Sequence, residues 1–187
     1  MPFTPLHYPV AWLLSKSSKR LILPGLIVGS FIPDIEVPFL IIFFRGILPD
    51  HFFLHSLIGA FTIGTALSVF ITIYIYPILV SLIFKVDKNK LSQLCKLNPF
   101  LILSCTLGNI FHILLDIPMH PFNPVLWPFV DPYKIVGFLV ILLAPAGDIS
   151  IGFFRANILT NLITGLFGIA VLLKSRHNFW EKVLVGK

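Results

Sequence analysis

Residues 99–121 read PFLILSCTLGNIFHILLDIPMHP. Up to Asp116 this is an apolar run of the length a bilayer-crossing helix needs, about 20 residues, yet it carries His112 and Asp116 near its end. Ionisable groups at membrane depth cost about 2.5–3.5 kcal/mol each on insertion scales, so they mark a functional site. His112, Asp116 and His120 stand at i, i+4 and i+8, which places them on one face of a helix. Imidazole and carboxylate one turn apart are what a divalent transition metal takes from a single helix. Pro118 and Pro121 bend or end that helix near His120, so His120 is expected to bind from a loop or to serve a second metal. The competing reading is a buried His–Asp pair that only stabilises a helix bundle.

The rest of the chain agrees with a membrane setting. Its 187 residues are 57% hydrophobic and 12% charged, against about 45–50% and 25% in a soluble domain. Too few charges remain to cover a water-soluble globule, and the composition also excludes disorder, a coiled coil and a disulfide scaffold. Cys95 and Cys105 read as free thiols. The opening MPFTPLHYPVAWLLSK has no basic n-region and no small-residue cleavage site, so it is expected to belong to the fold instead of being a signal peptide. Further apolar segments are Leu21–Ile32, Val37–Phe44, Phe52–Phe84, Ile135–Ala146 and Ile158–Leu173. With Pro99–Ile117, three are long enough to span. The expectation is a single all-α domain over residues 1–187: a polytopic membrane helix bundle of three full spans plus short broken or re-entrant helices. Broken backbone survives at membrane depth only inside protein or beside a polar cavity, so a cavity is expected too.

Charge sets the sidedness. The net +6 gathers in Lys16, Lys19 and Arg20; in Lys85, Lys88, Lys90 and Lys96; and in Lys174, Arg176, Lys182 and Lys187. No basic stripe interleaved with aromatics joins them, so positive-inside topology accounts for the charge and nucleic acid is not an expected partner. The 85–96 loop and the C-terminal region are then cytoplasmic in a plasma-membrane protein. Helical rise puts His7 and Asp34 about 14 and 21 Å from the first basic cluster, towards the exoplasmic side, at the level of His55 and His112.

Most of the non-basic ionisable residues fall at this level. In GSFIPDIE, residues 29–36, Pro33 is expected to break the short helix and offer Asp34 and Glu36 beyond it. A turn at the interface is the alternative. His51 and His55 stand at i, i+4 before the long helix, with Ser56 next; they either chelate or face water. His7 in FTPLH reads as structural when taken alone, and the case for a metal rests on convergence.

In order along the chain, these motifs resemble those of the membrane-bound metal-dependent hydrolases, a family that includes the LexA-regulated inner-membrane proteins. The likeness is carried by MPFTPLH with Pro9, by Gly29, Pro33 and Asp34, by His55 and Ser56, by His112 and Asp116, and by His120, Pro128 and Phe129. The opening is similar to a branch that begins MPFTxxHP. More distantly, the order looks like that of zinc-dependent phospholipase C enzymes and single-strand nucleases. That likeness implies one zinc on Asp34, His55, His112 and Asp116, with Asp116 bridging to a second metal near His7 and His120 assisting another. It implies phosphoester hydrolysis. Two departures stand out. Where the soluble enzymes carry a further H-x-x-x-D/E helix, this chain has Asn157 and Asn161, and the family's H-R-G-x-x-H-S run is replaced by residues 50–56, DHFFLHS.

The functional expectation is a hydrolase with one or two divalent ions, zinc foremost and manganese or iron as alternatives, whose ion activates water as the nucleophile. Glu36 or Asp34 is the candidate general base. His51, Ser56, Asn109 and Glu36 are candidates to orient the imidazoles. Membrane lipids are the expected surroundings and a lipid-linked phosphoester the expected substrate, while the oligomeric state is left open. The alternatives are a proton- or metal-coupled transporter and a structural subunit whose metal only ties helices together.

Overall fold

Proline in the first turn of a helix gives up an N–H that would have no intrahelical partner anyway, and this chain opens several helices that way. The computed structural model describes residues 4–45, 47–174 and 179–186. A 3-10 turn, Thr4–His7, leads into α1 (Tyr8–Ser17), with Pro9 in its first turn. Helix α2 (Leu23–Phe43) opens on Pro24. Here the expected break at Pro33 does not occur. The backbone tightens to a 3-10 turn over Pro33–Ile35 and resumes as Glu36–Phe43. The proline lacks only its own N–H, and Ile35 N–H still donates to Ile32 O at 3.0 Å, so the axis continues. Two segments read as half-spans therefore join into one.

Helix α3 (Leu57–Phe84) is capped by the Ser56 hydroxyl, which accepts from Gly59 N–H, and contains π-helical turns at Ala60–Gly64 and Ile71–Ile75. Helix α4 (Lys88–Leu94) starts on an Asp87 cap. Asn98 caps α5 (Pro99–Asp116), which tightens into a 3-10 turn at Ile117–Met119. A loop of short turns follows, then α6 (Phe138–Leu143), α7 (Ile149–Lys174) and α8 (Phe179–Leu184). Among the described residues, four helices, α2, α3, α5 and α7, are long and apolar enough to cross a membrane, where three were expected. The protein is an all-α helical bundle with the makeup of a membrane protein. Exposed apolar side chains such as Leu82, Leu142 and Leu166 suit lipid, not water.

The centre of the bundle is the α2–α5 contact. A Cβ on Gly29 would lie 2.3 Å from Cys105 O, and one on Gly108 would lie 2.5 Å from Leu26 O. Glycine lets the backbones approach this closely, as small residues do between membrane helices. At the base, the C-terminal segment tucks under the bundle: Tyr8 Oη donates to Val183 O (2.8 Å) and Tyr76 Oη to Leu184 O (2.7 Å).

Basic side chains collect at this same end. Lys16 Nζ reaches Gly186 O at 3.0 Å, Arg20 lies over the Phe100 ring, Lys16 and Lys174 lie over Trp12, and Lys90 pairs with Glu181 at 3.0 Å. Met1 to Phe3 of the opening motif, and Arg176 and Lys187 of the last basic cluster, lie outside the described residues. The opposite ends of α1 and α5 carry His7, His112 and Asp116.

Candidate metal centre

His112 and Asp116 share the buried face of α5, as their spacing requires. The glycine contact brings α2 alongside, so that Asp34 in the 3-10 turn of α2 faces them. His55, in the turn that enters α3, closes the set. All four residues are at least nine-tenths buried, and one ligand atom from each lies within 4.8 Å of every other.

The separations are those of a metal shell. From His112 Nε2 it is 3.4 Å to Asp34 Oδ1 and 3.2 Å to Asp116 Oδ2; from His55 Nε2 it is 3.5 and 3.7 Å to the same two oxygens. The two Nε2 atoms lie 3.3 Å apart. A tetrahedron with bonds of about 2.0–2.1 Å, usual for zinc on nitrogen and oxygen, has edges of about 3.3–3.4 Å.

Proton bookkeeping supports the same conclusion. His112 Nδ1 donates to Ser30 O (2.7 Å), His55 Nδ1 to Glu36 Oε1 (2.7 Å) and His7 Nδ1 to Thr4 O (3.1 Å). Each of these partners can only accept, so in the neutral ring the proton sits on Nδ1 and Nε2 carries a lone pair. Lone pairs of His55 and His112 then face each other and two carboxylates. Asp34 Oδ1 and Asp116 Oδ2 have no hydrogen-bond partner among the described residues. Such an arrangement needs either extra protons or a cation, and the donor set of two imidazoles and two carboxylates fits a divalent ion. This buried cluster is one that can bind a divalent metal.

The other expected residues fall around it. His7 stacks on His112 with ring centroids 4.0 Å apart and points Nε2 at Asp116 Oδ1 (3.3 Å). His51 and His120 lie beside the cluster, rings 4.7 Å apart, and line a narrow cleft with His55, Asp116, Phe122 and Asn123. Burial pushes the His51 imidazole below its ordinary pKa and the His120 imidazole down to about 3. Both are neutral at physiological pH, the state in which imidazole ligates.

Several expected roles change. Glu36 is not an idle carboxylate: besides His55 it accepts from Phe52 N–H and Leu54 N–H, each at 2.7 Å. To take a proton from water it would have to loosen these bonds, so its geometry is that of a positioning residue and not of the expected base. Asp34, the other candidate base, turns Oδ1 into the ligand set, and its Oδ2 takes the Thr4 hydroxyl. The Ser56 hydroxyl caps α3 and donates to Phe53 O; it does not orient an imidazole. Asn109 donates to Ser68 Oγ and Cys105 O, tying α5 to α3 one turn from His112. Sequence reasoning missed the Ser30 carbonyl and the Thr4 hydroxyl. A backbone acceptor leaves no trace in the sequence, though Thr4 sits three residues before His7.

No curated protein and no solved structure matches the chain. A family match does exist and spans every residue of the cluster, from His7 to His120. The family model of a domain of unknown function, DUF4184, matches residues 1–127, and the chain belongs to that family.

Proposed function

We propose that this protein is a metal-dependent membrane hydrolase acting on a phosphoester, lipid-linked by the depth of its site. The observation that carries the reading is the set of lone-pair atoms on Asp34, His55, His112 and Asp116, five of whose separations lie between 3.2 and 3.7 Å, together with its approach by a cleft. Zinc suits these ligands best, with manganese or iron as alternatives. A divalent ion here would supply Lewis acidity and bring the pKa of water towards neutrality. The chain's own part is orientation. Glu36 and the Ser30 carbonyl fix the two ligating rings by their Nδ1 protons, and outer-shell partners of this kind tune a metal site. The gathering of basic side chains at the far end favours a multi-pass plasma-membrane protein with residues 85–96 cytoplasmic and the site exoplasmic.

One observation favours a second reading. Four protein ligands can close the shell of a structural metal that only ties α2, α3 and α5 together. The test is metal content per chain in detergent-purified protein, beside a His112→Ala/Asp116→Asn variant, followed by a phosphoester hydrolysis screen. Expected are bound zinc and hydrolysis in the wild type, with both lost in the variant. Metal without turnover on any phosphoester leaves the structural reading standing, and no metal after supplementation removes both.

A further inference from the structure

At the end of the bundle away from the metal cluster, a pocket of about 400 Å³ opens where the end of α1, the start of α2, the end of α4 and the C-terminal segment meet. Small-molecule sites have volumes of about 300–1,000 Å³. Its inner and outer parts differ in chemistry. Leu21, Leu23, Leu94 and Val185 give it apolar walls, with Leu23 2% and Val185 4% exposed, whereas Lys16 and Lys19, which also line it, are exposed. None of the described residues that line it is acidic.

The two ammonium groups lack a counter-charge. Among the described residues, Lys90 with Glu181 is the one pair that joins a lysine or arginine to a carboxylate. Lys16 Nζ donates to Gly186 O at 3.0 Å and lies 5.5 Å from the centre of the Trp12 ring. Neither contact neutralises it, and two of its three donors are left over. The Lys19 side chain makes no hydrogen bond or ion pair among the described residues. Arg20 and Lys174 add positive charge close by, over Phe100 and Trp12. The α2 span begins at Leu23, so the pocket lies at the border of membrane and water, the level that tryptophan favours.

A cationic rim over an apolar floor at that border selects its occupant. Free phosphate would meet the lysines but leave the apolar walls uncovered, and a zwitterionic lipid would bring a cation of its own. We infer that this pocket binds the headgroup of an anionic phospholipid, its phosphate on Lys16 and Lys19 and its glycerol and first methylenes against the apolar walls. Basic pockets beside membrane helices take such headgroups on the cytoplasmic side. The lipid touches α1, α2, α4 and the C-terminal segment together, and so clamps that segment beneath the bundle. This site is separate from the metal cluster and does not depend on the hydrolase reading.

The test titrates the full chain, in neutral detergent micelles, with phosphatidylglycerol and follows the midpoint of thermal unfolding. Phosphatidylglycerol should raise the midpoint, whereas phosphatidylcholine and inorganic phosphate at matched concentration should not. A lysine near an anionic lipid surface contributes about fivefold in affinity, so Lys16→Gln/Lys19→Gln should weaken the apparent Kd by about 25-fold. Lys85→Gln/Lys88→Gln removes the same charge elsewhere and should leave it unchanged. Equal shifts with the two lipids, a full shift with phosphate alone, or equal weakening in the two double variants overturns the inference. Should Lys16→Gln/Lys19→Gln fail to elute as a single species, Lys19→Gln decides, because that side chain has no partner among the described residues to lose. About fivefold weaker binding is expected there, and an unchanged Kd overturns the inference.

Discussion

Helices α5 and α7 are both long, apolar and able to cross a membrane, but they bury different things. On α5 the inward face carries Ser104, Cys105, Gly108, Asn109, His112 and Asp116; on α7 it carries Gly152, Ala156, Thr164 and Val171. Both have a polar pair at i, i+4: His112 and Asp116 on one, Asn157 and Asn161 on the other. Only the first pair lies in the metal cluster, and the family match ends at residue 127, before α7 begins. Polar side chains at membrane depth are expensive, and this chain concentrates the ionisable ones where three helices can share one cation.

Rewriting the α5 pair as the α7 pair should give the largest effect. In wild type, Zn²⁺ at a thousandfold excess over its Kd should raise stability by about 4 kcal/mol, read as a shift in thermal unfolding. His112→Asn/Asp116→Asn should show no such shift; a metal-dependent shift in that variant would mean that the cluster is not the site.

The glycines give the next contrast. Gly108→Ala pushes a methyl towards Leu26 O on α2 and should cost about 1–3 kcal/mol. At Gly165 on α7 the nearest atom to an added Cβ is Leu6 Cδ2, 4.0 Å away, so alanine there should be neutral or should stabilise by up to about 1 kcal/mol. Equal effects at the two positions, in unfolding followed by circular dichroism, would erase the distinction between site-building and lipid-facing helices.

Glu36→Gln keeps the shape but replaces one acceptor oxygen by a donor group opposite backbone N–H groups. Metal affinity, measured by chelator competition, should weaken by about 10–100-fold. If Kd is unchanged, Glu36 does not position His55.

The mildest test is pH. Burial opposes a charge on His55, but the neighbouring carboxylates of Asp34 and Glu36 override it and raise its pKa above the ordinary imidazole value. The metal-free ring therefore keeps its proton to a higher pH than a free imidazole, and metal must displace it. Apparent affinity should fall as pH falls through that raised pKa, by about tenfold per pH unit for each proton displaced. A Kd that is flat between pH 6 and pH 8 would show that no proton is exchanged.

What the sequence disclosed follows the range of the interaction. The H-x-x-x-D pair on α5 was legible because one helical turn fixes it. The membrane makeup was legible from composition, and Asp34 and His55 were named as ligands. Their meeting depends on Gly29 packing on α5 across 79 positions to Gly108, which no local pattern announces. The fourth span was hidden because Pro33 reads as a stop, whereas a 3-10 turn carries the helix through it. Glu36 was offered both as base and as an orienting residue, and the choice was hidden because its partners, Phe52, Leu54 and His55, lie in another segment. A carboxylate's role is set by what donates to it.

The pairing of His7 with Asp116 joins residues 109 positions apart. At ribosomal speeds of about 5–20 residues per second, the first histidine waits roughly 5–20 s for its carboxylate to be made. Asp34 and His55 wait over much of the same interval, before α5 has been made. On the proposed reading, the ligand set is complete only once α5 has been made and packed on α2, so that metal loading would be a late step of biogenesis, able to separate chains in which α5 has joined α2 from those in which it has not.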